Sequence, residues 1–152
     1  MLNKKCFIFF RREFPDKPCA DIAHYIHDIQ CANAALRLGH KTVMVYCDES
    51  SGQGSVFSRA FPFQPKKADK RFQDFYGADK DLNMAAIPSK SALLLTKYHF
   101  PFHIAPRAKL VHTQDFLIAE AAVRCRVPVI YEQHYLKKTI SKKALFKALI
   151  LD

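Results

Sequence analysis

Glycine is scarce in this sequence, with four residues among 152, and none of them lies between Phe10 and Asp21. A dinucleotide fingerprint of the form G-x-G-x-x-G needs glycines in the turn that follows the first strand of a Rossmann unit, because backbone and phosphate approach closely there. The same scarcity excludes a phosphate-binding P-loop. The sequence therefore argues against a nucleotide site built on its first turn.

Cysteine pairs and metal-ligand motifs are also missing. The five cysteines are an odd number, without a CxxC pair and without a nearby histidine pair at zinc spacing. His99 and His103 have helical spacing, but Pro101 lies between them and argues against a helix that would bring them together. We therefore expect no metal site, and reduced thiols that pack as small apolar side chains.

Long apolar runs are missing as well. The apolar run near the amino terminus stops at Arg11 and Arg12, which is too short for a secretory signal, and no later run could cross a bilayer. We expect a cytoplasmic protein. A lysine-rich helix predicted from residue 139 onward leaves three uses open: an ordinary solvated face, a face that docks a further domain, and peripheral contact with an anionic membrane.

The bulk composition predicts one globular domain. Hydrophobic residues make up 49% of the chain and charged residues 25%, which excludes a mostly disordered protein. The formal net charge of +10 favours phosphate-bearing partners without choosing among them. Nucleic acid is the least favoured partner, because no arginine-rich arm or RNA-binding signature is present.

The first 47 residues read as a βαβ unit. Residues 6–10 are continuously apolar, which is typical of a strand buried on both faces of a parallel sheet. From Ala20 the apolar residues change to helical spacing, and Gly39 can end that helix in a left-handed conformation. Residues 42–47 then form a second apolar, β-branched strand.

Residues 109–135 are the most informative stretch, because they read as strand, helix and strand. Residues 110–112 and 127–131 are apolar runs, Asp115 can cap the helix between them, and a connection of this length suits a parallel crossover. Ligands of open parallel sheets bind beyond the carboxyl ends of the strands. We therefore predict a three-layer, Rossmann-like α/β fold with a mostly parallel sheet, and a ligand site formed by residues 13–21, 113–115 and 132–135.

Residues 50–107 give a weaker pattern. A connection this long should contain at least one helix and one strand. Residues 92–98 are apolar enough for either, and Pro101 and Pro106 are expected to break whatever follows.

Three motifs resemble the amino-terminal half of a GT-B glycosyltransferase of the family 4 kind. Residues 21–24 and 33–43 resemble the opening helix of that family and its Leu-Gly-His end. Residues 108–115 resemble its Ala-Asp-Leu-Val-His-x-His/Arg-Asp strand and turn, and residues 127–134 resemble its Ile-Pro-Val-Val-Tyr-Glu-x-His motif. The motifs cover roughly the first and last thirds of the chain.

The resemblance implies the acceptor-binding half of a nucleotide-sugar-dependent transferase. In that family a carboxyl-terminal domain binds the nucleotide-sugar, transfer usually retains the anomeric configuration, and no metal is essential. We therefore expect this chain to be a fragment that binds no cofactor itself and is inactive without a donor domain. Two departures support inactivity: Gln114 stands where many relatives have histidine or arginine, and the Gly-Gly loop after the first strand is missing.

Six residues are the candidates for binding a sugar or lipid-linked acceptor, and no residue is assigned a catalytic role. They are Asp21, His24, Gln114, Asp115, Glu132 and His134. Glu132 and His134 could equally be a helix cap or a surface pair, Asp115 could serve only as an N-cap, and His112 is interpreted as a core histidine. The alternative function is a stand-alone Rossmann-like binding module without catalysis, followed by a basic nucleic-acid-binding protein.

Overall fold

The structure, a computed structural model, describes residues 5–13, 22–48 and 63–132. Six strands form one sheet in the order β3-β4-β2-β1-β5-β6. They are β1 (Cys6–Arg11), β2 (Thr42–Cys47), β3 (Lys66–Lys67), β4 (Asn83–Ile87), β5 (Ala108–Thr113) and β6 (Val129–Tyr131). Every pair is parallel except β3 with β4, an antiparallel edge.

Helices cover both faces of the sheet. They are α1 (Ile22–Arg37), α2 (Lys70–Tyr76), α3 (Ala92–Leu94, continuing as a π-helix over Leu95–Ile104) and α4 (Phe116–Arg124). Phe9 and Met44 belong to the core on the side of α1 and α2. Ile8 and Val45 belong to the core on the side of α3 and α4. The predicted three-layer α/β fold with a mostly parallel sheet is therefore confirmed.

Burial on both faces explains why β1 and β2 are continuously apolar. Successive side chains point to opposite faces of a strand, so a strand between two helical layers must be apolar at both sets of positions. Ile8 and Phe10 are at most 2% exposed on one face, and Phe9 is 7% exposed on the other. β1 thus lies at the centre of the sheet, between β2 and β5.

The β5–α4–β6 unit has the predicted parallel arrangement. His112 pairs in register with Ile130 on one side and with Phe9 of β1 on the other. The carboxyl ends of β1, β5 and β6 consequently lie side by side. Polar residues that follow these strands are brought to one edge of the sheet.

Gly39 and Asp115 mark the end of α1 and the start of α4 where the sequence predicted them. Gly39 follows α1 with a φ of 83°, a left-handed conformation that glycine adopts at low cost. Asp115 is the N-cap of α4, and its Oδ1 accepts hydrogen bonds from the backbone N–H groups of Leu117 and Ile118 at 2.9 and 3.3 Å.

The prediction that Pro101 breaks the chain's regular structure is wrong. Helix α3 continues through Pro101 to Ile104, and the backbone N–H of Ala105 donates to the carbonyl of Phe100. Leu95, Phe100 and Ile104 are fully buried in the core beneath this helix. Their burial outweighs the lost proline hydrogen bond, and the wide π-helical turns are the form the helix takes around the proline. Pro106 then lies in a 3₁₀ turn, Ala105–Arg107.

Residues 50–107 contain more structure than the sequence pattern required, namely α2, β4, α3 and the edge strand β3. Most of the predicted loop at residues 13–21 and the helix predicted from residue 139 lie outside the described residues. Within the described ranges, no helix has the length and apolar character needed to cross a membrane. Cys6, Cys31, Cys47 and Cys125 are free thiols, and burial raises the pKa of Cys47 to about 12.

The paired histidines of α3 predict acid-sensitive stability. Burial lowers the pKa of both His99 and His103 below the ordinary value of 6.5; His103 lowers the pKa of His99 further, and Arg107 lowers that of His103. Below about pH 6.5 the unfolded chain takes up protons that the folded chain does not. The free energy of unfolding should therefore fall as the pH drops from about 7.5 to about 5.5.

Urea unfolding at several pH values tests this expectation. The double variant H99Q/H103Q should show a shallower dependence on pH than the wild type, whatever its absolute stability. His40→Gln is the control and should keep the wild-type slope, because His40 stacks on Phe7 on the other face of the sheet from α3. An unchanged slope in the double variant would contradict the assignment.

Candidate functional site

Six polar residues converge at the carboxyl edge of the sheet, next to α1. Arg11 ends β1, His112 lies near the end of β5, Gln114 follows β5 and Glu132 follows β6, while His27 and Asp28 lie on α1. We call these six residues the rim cluster. Its members come from positions far apart in the sequence, and the parallel sheet brings them together.

Arg11, Asp28 and Gln114 form a closed triangle of hydrogen bonds. Arg11 Nη1 donates to Asp28 Oδ2 and to Gln114 Oε1, each at 2.6 Å. Gln114 Nε2 donates to Asp28 Oδ1 at 3.1 Å. Both oxygens of Asp28 thus have a donor, and the triangle connects β1, α1 and the turn after β5.

Asp28 is the buried member of the triangle. Its side chain is 6% exposed, and that of Arg11 is 16% exposed. Burial raises the pKa of Asp28, and this effect outweighs the lowering by the Arg11 guanidinium. The short ion pair therefore holds in place a carboxylate that is unfavourable to bury, which is the usual balance for an ion pair removed from water.

Arg11 is fixed by a third contact. Its guanidinium carbon lies 4.7 Å from the centroid of the Tyr25 ring on α1. This distance is suitable for a cation–π interaction, and a planar guanidinium stacks well on an aromatic face. Arg11 is therefore held against α1 at two places, Tyr25 and Asp28.

Glu132 lies between two imidazoles. His27 Nε2 is 3.2 Å from Glu132 Oε1, and His112 Nε2 is 3.3 Å from Glu132 Oε2. The backbone N–H of Glu132 donates to the carbonyl of Thr113 at 3.0 Å, which continues the β5–β6 pairing by one residue and fixes where the side chain begins. Burial lowers the pKa of His112, although Asp28 and Glu132 oppose that change.

A second ion pair lies beside the rim cluster. Arg12 Nε is 2.6 Å from Asp115 Oδ2, while Oδ1 of the same carboxylate caps α4. Thr113 supports the turn, since its Oγ1 donates to the carbonyl of Phe10 at 3.1 Å and accepts from the backbone N–H of Asp115 at 3.0 Å. Asp115 therefore has structural partners for both oxygens.

The predicted site residues divide into three groups. Gln114 and Glu132 belong to the rim cluster, and Asp115 lies next to it as the N-cap of α4. His24 is half-buried on α1, one turn before Asp28. Asp21 and His134 lie outside the described residues.

Sequence reasoning missed Arg11 and Asp28, and it interpreted His112 as a core histidine. In the structure the His112 side chain is 13% exposed and contacts Glu132 rather than only apolar neighbours. Arg11 gave a weak signal as the charge that ends an apolar strand. Asp28 gave a stronger one, because it directly precedes the fully buried Ile29 on a helix that packs against the sheet.

The rim cluster offers donors and acceptors over a short distance. Gln114 can both donate and accept, Glu132 accepts, and each imidazole can do either according to its tautomer. One oxygen or nitrogen each from Asp28, His112 and Glu132 lies within 4.8 Å of the other two. The arrangement can therefore hold a polyhydroxylated ligand or a metal ion.

A different surface lies at the amino-terminal edge of the sheet. Lys5, Lys41 and Lys109 line a cavity there of about 490 Å³, and the ring of His40 stacks on that of Phe7 at 4.3 Å. Three ammonium groups around one opening attract anions. The positive charge at this edge of the sheet therefore favours anions at a place away from the rim cluster.

Comparison of the chain with models of protein families and with curated proteins finds no match.

Replacing Arg11 by methionine should strongly destabilise the domain. The variant keeps the apolar stem of the side chain but leaves the carboxylate of Asp28 without its cationic partner, and removing one member of a buried ion pair costs about 3 kcal/mol or more. Arg37→Met is the matched control, because Arg37 is 70% exposed and lies 3.9 Å from Asp79. That change should cost less than about 1 kcal/mol.

Denaturant unfolding of the two variants measures the difference directly. Equal losses of unfolding free energy for Arg11→Met and Arg37→Met would show that Arg11 has no special structural role.

Proposed function

We propose that this domain binds the sugar-bearing acceptor of a nucleotide-sugar-dependent glycosyltransferase, as the acceptor-side half of a GT-B enzyme. The observation that carries the proposal is the convergence of Gln114 and Glu132 with Asp28 and His112 at the carboxyl edge of a parallel sheet. Open α/β sheets bind their ligands at this edge. The donor nucleotide-sugar is assigned to a separate domain, so this chain alone transfers no sugar.

The chemistry of the rim cluster suits sugar hydroxyls. A hydroxyl donates one hydrogen bond and accepts up to two, so a site for several hydroxyls needs mixed donors and acceptors in fixed positions. Gln114 is held by Arg11 and Asp28, and Glu132 is held by two imidazoles and by its backbone hydrogen bond to Thr113. Side chains that are already ordered lose little further entropy when a ligand binds.

The chemistry of Gln114 supports a role in ligand binding rather than in proton transfer. A glutamine amide has no titratable proton at neutral pH, so Gln114 cannot act as a general acid or base. Its supported role is to orient a hydroxyl. Glu132, next to His27 and His112, is the member that could accept a proton from a bound hydroxyl.

Ligand binding can be followed through the side-chain amide signals of Gln114 in ¹H–¹⁵N correlation NMR spectra recorded during a titration. Neutral mono- and disaccharides should shift the Gln114 amide signals in a saturable way. Glu132→Gln keeps the shape of the side chain but removes its charge, and it should weaken binding by about fivefold or more. Glu120→Gln is the matched control on the exposed side of α4, where Glu120 lies 3.9 Å from Arg124, and should leave binding unchanged.

The titration needs neutral sugars because the lysine cavity attracts phosphates. Shifts confined to Lys109 and its neighbours would report anion binding at the other edge of the sheet. Failure of every neutral saccharide to move the Gln114 signals would contradict the proposal. Saturable shifts of Gln114 with a free nucleotide alone would favour a stand-alone nucleotide-binding module instead.

A further inference from the structure

We propose that Asp28, His112 and Glu132 bind a divalent transition-metal ion. The nature of their donor atoms favours Zn²⁺. The proposal goes beyond acceptor binding and does not depend on it, because metal binding can be measured without any sugar. The three residues lie 84 and 20 positions apart in sequence order, so no spacing motif could announce them.

The donor set is mixed rather than purely acidic. One imidazole nitrogen and two carboxylate oxygens lie within 4.8 Å of one another, and His27 Nε2 adds a second imidazole 3.2 Å from Glu132 Oε1. Imidazole favours zinc and its neighbours in the transition series, whereas Mg²⁺ and Ca²⁺ prefer oxygen ligands alone. These atoms should therefore prefer Zn²⁺ and its transition-series neighbours to Mg²⁺ or Ca²⁺.

The distances fit an ion after a small adjustment. Zinc binds nitrogen and oxygen at about 2.0–2.2 Å, so two ligands of a tetrahedral site lie about 3.3 Å apart. His112 Nε2 and Glu132 Oε2 are already 3.3 Å apart. The third ligand atom, from Asp28, lies within 4.8 Å of the other two and must move toward them to complete three protein ligands.

The negative charges around the three ligands exceed the positive charge of Arg11, which favours a bound cation. Asp28 and Glu132 carry two negative charges, and Arg11 supplies one positive charge through its 2.6 Å contact with Asp28. A carboxylate oxygen has more than one lone pair, so Asp28 can bind a metal while it still accepts hydrogen bonds. Metal-binding carboxylates usually have such partners, and Arg11 and Gln114 would orient Asp28 in that way.

The exposed fractions of the three side chains also fit a site that an ion can reach from solvent. The Asp28 side chain is 6% exposed and that of His112 13%, whereas that of Glu132 is 28% exposed. The ion would thus enter from the side of Glu132 and keep a position open for water or a hydroxyl. An open fourth position is typical of zinc sites that bind a further ligand.

Calorimetric titration of the full chain, freed of any affinity tag, with Zn²⁺ and separately with Co²⁺ tests the proposal. We expect one saturable site per chain and a rise in the melting temperature with Zn²⁺, because an ion that binds only the folded state stabilises it. Glu132→Gln should weaken binding by at least about tenfold, and His112→Gln likewise. Glu120→Gln and His40→Gln are the matched controls and should bind as the wild type does.

Cobalt absorption distinguishes this site from a thiol. Cys31 Sγ lies 3.7 Å from His27 Nε2, so a sulfur ligand is the nearest competing explanation. Cobalt in the proposed site should show visible bands without the near-ultraviolet charge-transfer band of a thiolate, and Cys31→Ser should leave the spectrum unchanged.

The proposal would be overturned by no saturable Zn²⁺ binding, by binding that Glu132→Gln leaves intact, or by a thiolate band that Cys31→Ser abolishes. Preferential binding of Mg²⁺ would also contradict it. Because Glu132 follows the last described strand and is partly exposed, Glu132→Gln should keep the fold, which its melting temperature without metal verifies. If His112→Gln fails to fold, Glu132→Gln still decides the question.

Discussion

The ion pair between Arg11 and Asp28 is the interaction on which this edge of the molecule depends. Arg11 ends the central strand and Asp28 lies on the helix that covers it, so their 2.6 Å contact sets how α1 lies against the carboxyl end of the sheet. The same guanidinium stacks on Tyr25 and donates to Gln114. One side chain thereby positions three elements, and its loss would leave a buried carboxylate without a counter-charge.

The fold makes a concentrated polar site possible at modest cost. Parallel strands require crossover helices on both faces, which removes the faces of the sheet from solvent and leaves the strand ends as the natural place for polar chemistry. Glu132, His112 and Gln114 reach this place from β5 and β6, and Asp28 reaches it from α1. Both the acceptor-binding proposal and the metal proposal follow from this placement and share Asp28, His112 and Glu132, but they are tested by different measurements, sugar titration and metal titration.

Much of the architecture could be predicted because it follows from local chemistry. Continuous apolar runs predicted β1 and β2, the left-handed Gly39 predicted the end of α1, and Asp115 predicted the start of α4. The path of the chain through Pro101 could not be predicted, because the burial of distant core residues under α3 decides it. Propensity at a single position is easily outweighed by packing of this kind.

Only part of the site could be predicted, because some of its contacts depend on how distant elements pack together. Gln114 and Glu132 follow apolar strands, and parallel pairing alone places them together. Asp28 sits in the middle of a helix, where a lone acidic residue normally faces solvent, and its position before the apolar Ile29 did not identify Arg11 as its partner. His112 was interpreted as part of the core because its strand is apolar. Its partnership with Glu132 depends on the register of β5 against β6 and becomes visible only in three dimensions.

A double-mutant cycle on Arg11 and Asp28 tests the central claim most directly. The unfolding free energies of Arg11→Met, Asp28→Asn and the double variant should be non-additive, with a coupling of about 1.5 kcal/mol or more, as for a hydrogen-bonded charge pair removed from water. Additive losses, with a coupling within about 0.3 kcal/mol of zero, would show that the two residues act independently and that the edge is organised by something else.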